Sequence, residues 1–231
     1  MKIIDTHSHI DYITHQLQTD VVGTVCCATD ETQWQNLIDL IKQDNHVYGA
    51  FGVHPWFVEN VSDDFIVKLE NILKSDSNYM VGEIGLDKYK PYIEKQLKVF
   101  VKQFDLAVKL KRTMFVHCVG AWDKILHILK QYKKSELPIL VIHGFNANQQ
   151  IMKQLLQYEN IVFSFNKIYI NHRNSRLESI PDNKILVETD GKKDVILKTL
   201  VNQIVGAKQE PDMWKTIFDN TQRILINGQI K

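Results

Sequence analysis

His7 and His9 stand two residues apart in a strand-like stretch, so on an extended chain both imidazoles point to the same side. Further along, Glu83, His117, His143 and the run Glu188-Thr189-Asp190 each close a short apolar segment. Neutral imidazole suits Zn, Mn, Fe, Co or Ni, and carboxylates admit Mg and Mn as well. A lone histidine at the end of a strand is more often a hydrogen-bonded structural residue than a ligand. Four histidines and two carboxylates, all at strand ends, are harder to explain that way. Six ligands also exceed one ordinary site, so the set points to two divalent ions (Mg, Mn or Zn) sharing a bridging carboxylate. His15, His46 and His127 lie away from these strand ends and carry no assigned role.

Such residues must be carried by a scaffold, and the periodicity says which. Eight β-rich apolar runs recur, at residues 3–5, 21–28, 47–53, 79–84, 113–117, 139–142, 161–165 and 185–187. Each is nearly continuous in apolar residues, as expected for parallel strands buried on both faces. Helical spacing fills the gaps. Trp34, Leu37, Ile38 and Ile41 fall on one stripe after an N-cap at Thr29 or Asp30. The longest helix is expected to start at Pro91 and to carry Ile93, Leu97, Phe100, Val101, Phe104 and Val108 on its apolar face. Similar stripes begin at Trp122, Leu197 and Trp214, and the stretch 166–182 has only a weak helical signal. Eight βα units predict a single α/β domain over residues 1–231, a closed (β/α)8 TIM barrel whose chemistry gathers at the C-terminal ends of the strands. A dinucleotide fold would want a glycine-rich turn after the first strand, where this chain has Asp5-Thr6-His7-Ser8-His9.

Composition excludes several classes of protein. With 231 residues, 44% hydrophobic and 24% charged, the chain has enough apolar material for a core, which rules out wholesale disorder. No apolar run is long enough to span a bilayer, and the N-terminus turns polar too early for a secretory signal. The adjacent Cys26 and Cys27, with Cys118, read as reduced thiols of a cytoplasmic protein. A net charge of +1 gives no global field for nucleic acid or membrane, so any affinity for a polyanion must be local. The loops placed on the active rim do lean basic. Lys88 and Lys90 follow strand four, Lys167, His172, Arg173 and Arg176 follow strand seven, and Lys192 and Lys193 follow strand eight. Taken singly, most of these are ordinary solvated charges.

The segment Ile4-Asp5-Thr6-His7-Ser8-His9-Ile10-Asp11 resembles the opening of the TatD family of metal-dependent hydrolases, many of them deoxyribonucleases. So do Gly52-Val53-His54-Pro55, Val81-Gly82-Glu83-Ile84-Gly85-Leu86-Asp87, Phe115-Val116-His117-Cys118, His143-Gly144-Phe145 and Val187-Glu188-Thr189-Asp190, in order, across residues 2–190. Asn220 with Leu225 resembles the family's closing helix. The resemblance implies that His7, His9, Glu83 and Asp190 surround one ion and that Glu83, His117 and His143 hold a second, with Glu83 bridging. It implies hydrolysis of a phosphodiester in DNA or another nucleotide, with Asp190 orienting or deprotonating the attacking water and His54 near the substrate phosphate. Lys88 and Arg173 are the expected cationic substrate contacts, and no membrane or obligate protein partner is expected. Asp5, on the strand parity of His7, is expected either to support that ligand or to cap a turn. Cys118 is expected to face away from the metals. Trp56 and Phe57 are placed to stack a base, with one of the two expected to be buried.

The resemblance departs at three places on the substrate side. Val119 stands two positions after His117 where the family commonly has arginine, and Trp56 stands where it often has a second histidine. After Asp190, Gly191-Lys192-Lys193-Asp194 is expected to pass directly into a helix, a shortened loop. The competing readings are an amidohydrolase-type enzyme cleaving a C–N or C–O bond of a small molecule, and a non-catalytic barrel. Glu83 in place of a bridging lysine weighs against the first, and the intact ligand set weighs against the second.

Overall fold

In a computed structural model that describes residues 1–166 and 177–225, the eight apolar runs form eight strands. They are β1 (Ile3–Ser8), β2 (Val21–Cys27), β3 (Val47–Phe51), β4 (Met80–Asp87), β5 (Met114–Val119), β6 (Leu140–Ile142), β7 (Ile161–Phe165) and β8 (Ile185–Val187). Each strand pairs in parallel with the next, in the order β1 to β8. At the β8–β1 seam Thr6 Oγ1 donates to the Val187 carbonyl at 2.9 Å and the Asp190 amide donates to the His7 carbonyl at 2.9 Å. The α/β TIM barrel expected from the sequence is therefore present. Val25, Cys27, Ala50, Phe115, Val141, Val162 and Leu186 fill the lumen, and a larger apolar layer lies between the strands and the helices.

Among the described residues the complete helices are α1 (Trp34–Gln43), α2 (Phe65–Ser75), α3 (Ile93–Leu110), α4 (Trp122–Leu129), α5 (Gln149–Leu155), α6 (Leu197–Lys208) and α7 (Met213–Leu225). Three details differ from expectation. Between β1 and β2 the chain makes only a 3-10 turn at Thr14–Gln16 instead of an α-helix. Pro91 lies outside α3, because Tyr92 in the left-handed region (φ 64°) separates it from Ile93. Residues 191–196 intervene between Asp190 and α6, so the loop there is short but not absent. Asp30 does cap, although it caps a 3-10 turn (Glu31–Gln33) that leads into α1, accepting from the Thr32 amide at 2.8 Å.

Helix α3 packs Val99, Phe100, Phe104 and Ala107 against the barrel, each large side chain contributing roughly 1.5–3 kcal/mol by leaving water. Two buried glutamines on the same face position the loops of the site. Gln103 accepts from the Val53 amide at 2.7 Å and donates to its carbonyl at 3.1 Å, which fixes the residue before His54. Gln96 makes the same pair of bonds to Asp87, at 2.9 and 3.1 Å. Among the described residues no helix is long and apolar enough to cross a membrane.

Candidate metal centre

The strand ends bring the predicted ligands together around Glu83, which is almost wholly buried. Oε1 of Glu83 lies 2.8 Å from His143 Nε2, 3.0 Å from His117 Nδ1 and 3.1 Å from His54 Nε2. Its other oxygen lies 3.1 Å from His7 Nε2 and 3.9 Å from His9 Nε2. Asp190 Oδ1 completes that side, 3.9 Å from His7 Nε2 and 3.7 Å from His9 Nε2. The backbone is shaped for this approach. Gly85, at φ 154°, faces the His117 carbonyl so closely that an added Cβ would sit 1.9 Å from it, so only glycine lets β4 reach β5 here. Asp190 itself adopts a left-handed φ of 57°, which few non-glycine residues other than Asn, Asp and His do readily.

The far nitrogens decide what the near ones can do. His9 Nδ1 donates to the Cys27 carbonyl at 3.2 Å, which leaves the Nε2 lone pair free to bind a cation. The Nδ1 of His7 meets Cys27 Sγ at 3.4 Å, and the Nδ1 of His143 faces Glu188 Oε1 at 3.4 Å, so their Nε2 atoms also aim at the centre. His54 is different. Its Nδ1 accepts from the Trp56 amide at 3.2 Å, which puts the ring hydrogen on Nε2 and makes His54 a donor toward Glu83 rather than a ligand.

Charge is balanced to match. Burial alone would raise the Glu83 carboxyl, but His54, His143, His7 and His117 outweigh it and hold it well below the usual carboxylate range. Burial opposes the charge on His143, yet Glu83 and Glu188 overcome it and hold that imidazolium well above its ordinary range. Asp190, despite burial, is kept low by the neighbouring His9 and by His143, His7 and Lys192. The same negative charge that retains a proton on His143 would retain a cation. Three buried polar atoms of the site, His117 Nε2, His143 Nδ1 and Glu188 Oε2, have no hydrogen-bond partner in the protein. An imidazole and carboxylate set with the far nitrogens of His7 and His9 engaged, and with such orphaned atoms beside it, fits divalent metal ions.

The structure thus gathers His7, His9, Glu83, His117, His143 and Asp190, and adds His54. Sequence reasoning passed over Glu188, which accepts from the Gly144 amide at 2.6 Å and backs His143. Its signal was its spacing of two from Asp190 at the end of the same strand.

Of the two roles expected for Asp5, holding a turn is the one the structure shows. The β1–β2 register shifts between Asp5 and Ser8, so Asp5 and His7 do not share a face. Thr6 reaches Ser164 at 2.7 Å, while Asp5 accepts from the Thr14 and Thr189 hydroxyls and from the amides of His7 (3.1 Å) and Thr189 (3.0 Å). Burial pushes its carboxyl up to about 7, against those four bonds. It holds the backbone on both sides of the β8–β1 seam and touches no ligand ring.

On the substrate side the pocket encloses about 670 Å³, lined by His9, Ile10, Asp11, Thr29, Gln33, Asn36, His54, Trp56, Phe57 and the ligand rings. Trp56 and Phe57 are 53% and 41% exposed, so neither is buried, contrary to expectation: the 3-10 turn that carries them (Pro55–Asn60) buries Pro55 and Val58 instead. Lys88 is exposed and does not line the pocket, whereas Lys90 lies over the Trp56 ring. Lys192 pairs with Asp190. Lys167, His172, Arg173 and Arg176 fall outside the described residues. Cys118 packs against the outer apolar layer, away from the metal ligands. A separate cluster lies outside the barrel wall, where Asp44 meets His15 Nε2 at 2.9 Å and His46 Nδ1 at 3.4 Å.

A family model described as TatD related DNase matches residues 4–224. The human 3'-5' RNA nuclease TATDN2 is 31% identical over 214 residues, covering 81% of this chain but 28% of its own length, so the chain spans under a third of that relative. The 3'-5' ssDNA/RNA exonuclease TatD of Salmonella typhimurium is 26% identical over 191 residues, covering 78% of this chain and 71% of its own. Among solved structures, the TatD homologue YjjV of Escherichia coli superposes with a TM-score of 0.86 at 22% identity, over 96% of this chain and 97% of that one. A hydrolase TatD family protein of Entamoeba histolytica gives 0.84 at 14% identity, over 98% and 99%. A family match running almost from end to end, on a barrel of the same shape, means that the chain belongs to the TatD-related DNase family of metal-dependent hydrolases.

Proposed function

We propose that this barrel, as one catalytic domain, hydrolyses phosphodiester bonds of single-stranded nucleic acid using two divalent ions. The observation that carries the reading is the convergence of His7, His9, His117, His143 and Asp190 on the two oxygens of Glu83. His7, His9, Glu83 and Asp190 would hold one ion, and Glu83, His117 and His143 the other, with Glu83 bridging. Ions held there would supply polarisation of the phosphoryl oxygen and acidification of water. The chain's own residues do the rest. Asp190, kept ionised by its neighbours, orients the attacking water and accepts its proton. With Glu83 engaged by the ions, His54 would turn the Nε2–H that now faces that carboxylate toward the phosphoryl oxygen, a donor role its bond from the Trp56 amide prepares. Glu188 and Cys27 hold the ligand rings in place. Names of the relatives support this substrate: the human one is an RNA nuclease, and the Salmonella one an exonuclease on single-stranded DNA and RNA. The free thiols of Cys26, Cys27 and Cys118 are consistent with a reducing compartment, and we place the protein in the cytoplasm.

The test is cleavage of end-labelled single-stranded DNA and RNA by protein stripped with a chelator and resupplied with Mg²⁺, Mn²⁺ or Zn²⁺. Metal-dependent shortening, absent from Glu83→Ala prepared in parallel, is the expected outcome. No cleavage by protein shown to hold two ions would overturn the nucleic-acid reading and direct attention to small phosphate esters and cyclic amides.

A further inference from the structure

Beside the metal centre stands a feature that hydrolysis does not require. Trp56 is 53% exposed on the rim of the pocket, next to Phe57. The indole is nevertheless held in place. Its Nε1 donates to Asp87 Oδ2 at 2.8 Å, and Asp87 is itself buried, accepting from the Tyr89 amide at 2.9 Å and clamped through its backbone by Gln96. The His54 and Trp56 rings lie 5.3 Å apart between centroids, in a T-shaped arrangement. A large aromatic fixed this firmly while exposed to solvent has lost its side-chain freedom before any ligand arrives, which lowers the cost of binding to it.

Lys90 shows what the indole attracts. Its ammonium lies 4.0 Å from the ring centroid, a cation–π contact made by an exposed, flexible side chain that a flat ligand can displace. Once displaced, the ammonium is free to meet an anion. The Trp56 centroid is 6.5 Å from that of His117. A flat ring laid on the indole therefore shares one pocket with His117 and Glu83, and a phosphate joined to that ring through a sugar stays within the same pocket.

We infer that Trp56 is a stacking platform for the nucleobase next to the scissile phosphate, with Lys90 turning from the indole to a neighbouring phosphate when the base binds. This rests on the nucleic-acid reading given above, and it adds a base subsite that sits where the resemblance to the TatD motifs fails. Stacking on an indole tolerates every base, so the subsite recognises the presence of a base rather than its identity.

Two measurements test it. In the first, tryptophan fluorescence is recorded in chelator while a thymidine tetranucleotide, or the same strand with abasic sugars, is added to the wild type and to Trp56→Phe. Quenching by the base-bearing strand, absent with the abasic strand and absent in Trp56→Phe, is expected. In the second, KM is compared for cleavage of strands ending in a normal or an abasic residue. Wild type should prefer the normal end by roughly tenfold or more, from the usual strength of base–aromatic stacking. Trp56→Ala should lose that preference and Trp56→Phe should keep most of it, with the effect on KM more than on kcat. Cleavage without quenching and without preference for a base overturns the platform while leaving hydrolysis intact. Quenching without cleavage supports the platform and counts against the hydrolytic reading instead. Neither quenching nor cleavage overturns both.

Discussion

Glu188 illustrates how a residue beside a metal centre differs from one within it. It is fully buried, one oxygen takes the Gly144 amide and faces His143, and the other has no partner in the protein. Its neighbour by spacing, Asp190, stands out because it ends a motif, whereas Glu188 declares its role only once β8 places it behind the His143 ring. Glu188→Gln keeps the shape and removes the charge that orients and polarises this imidazole. Metal affinity should fall by about 10- to 100-fold, read by competition with a chelating dye. An unchanged affinity would show that His143 needs no support from this side. The protonation of His54 was also beyond the reach of the sequence, because it depends on a bond from the Trp56 amide that exists only when Pro55 starts a 3-10 turn. The gathering of the six proposed ligands was legible because each ends an apolar run, and runs of this kind become parallel strands.

Elements fail to follow the pattern where local geometry intervenes. Alternation along β1 suggested that Asp5 and His7 share a face, but the register shift between Asp5 and Ser8 turns Asp5 outward to the seam. Four donors converge there from the Thr14 turn, from β1 and from the segment after β8. Asp5→Asn replaces one accepting oxygen by an amide donor among donors. A loss of about 3 kcal/mol in urea unfolding is expected; a loss below about 1 kcal/mol would mean the seam is held by the barrel alone. The missing helix between β1 and β2 has a counterpart in the His15–Asp44–His46 cluster, which ties the substitute turn to the α1–β3 loop. Burial raises the Asp44 carboxyl, but the His46 amide, the Gln16 side chain and His15 outweigh it and hold it well below the usual range. A carboxyl depressed on folding stabilises the protein above its unfolded value of about 4, and that stability is lost as the pH falls below it. The urea midpoint of Asp44→Asn should therefore lie furthest below wild type near pH 6 and approach it toward pH 3. A gap that stays constant with pH would contradict the assignment.

At the scale of the whole molecule, composition and architecture divide the labour. A net charge of +1 supplies no long-range pull on a polyanion, so the proposed affinity for nucleic acid must be local to one rim. Eight strands, aligned in order, bring residues as distant as His7 and Asp190 to one carboxylate, and Gln96 and Gln103 of α3 hold two of the rim loops. The barrel itself was legible from eight apolar runs with helical stripes between most of them. The exposure of both Trp56 and Phe57 was not, since an aromatic pair after His54-Pro55 reads the same whether it turns inward or out. Everything proposed for this rim depends on Glu83 holding two ions at once. The direct test is to count bound ions per chain by native mass spectrometry, in wild type and in Glu83→Gln, after stripping and reloading with Zn²⁺ or Mn²⁺. Two ions in the wild type and at most one, weakly held, in the variant are expected. Two ions retained by Glu83→Gln, or only one in the wild type at saturating metal, would contradict the bridged centre.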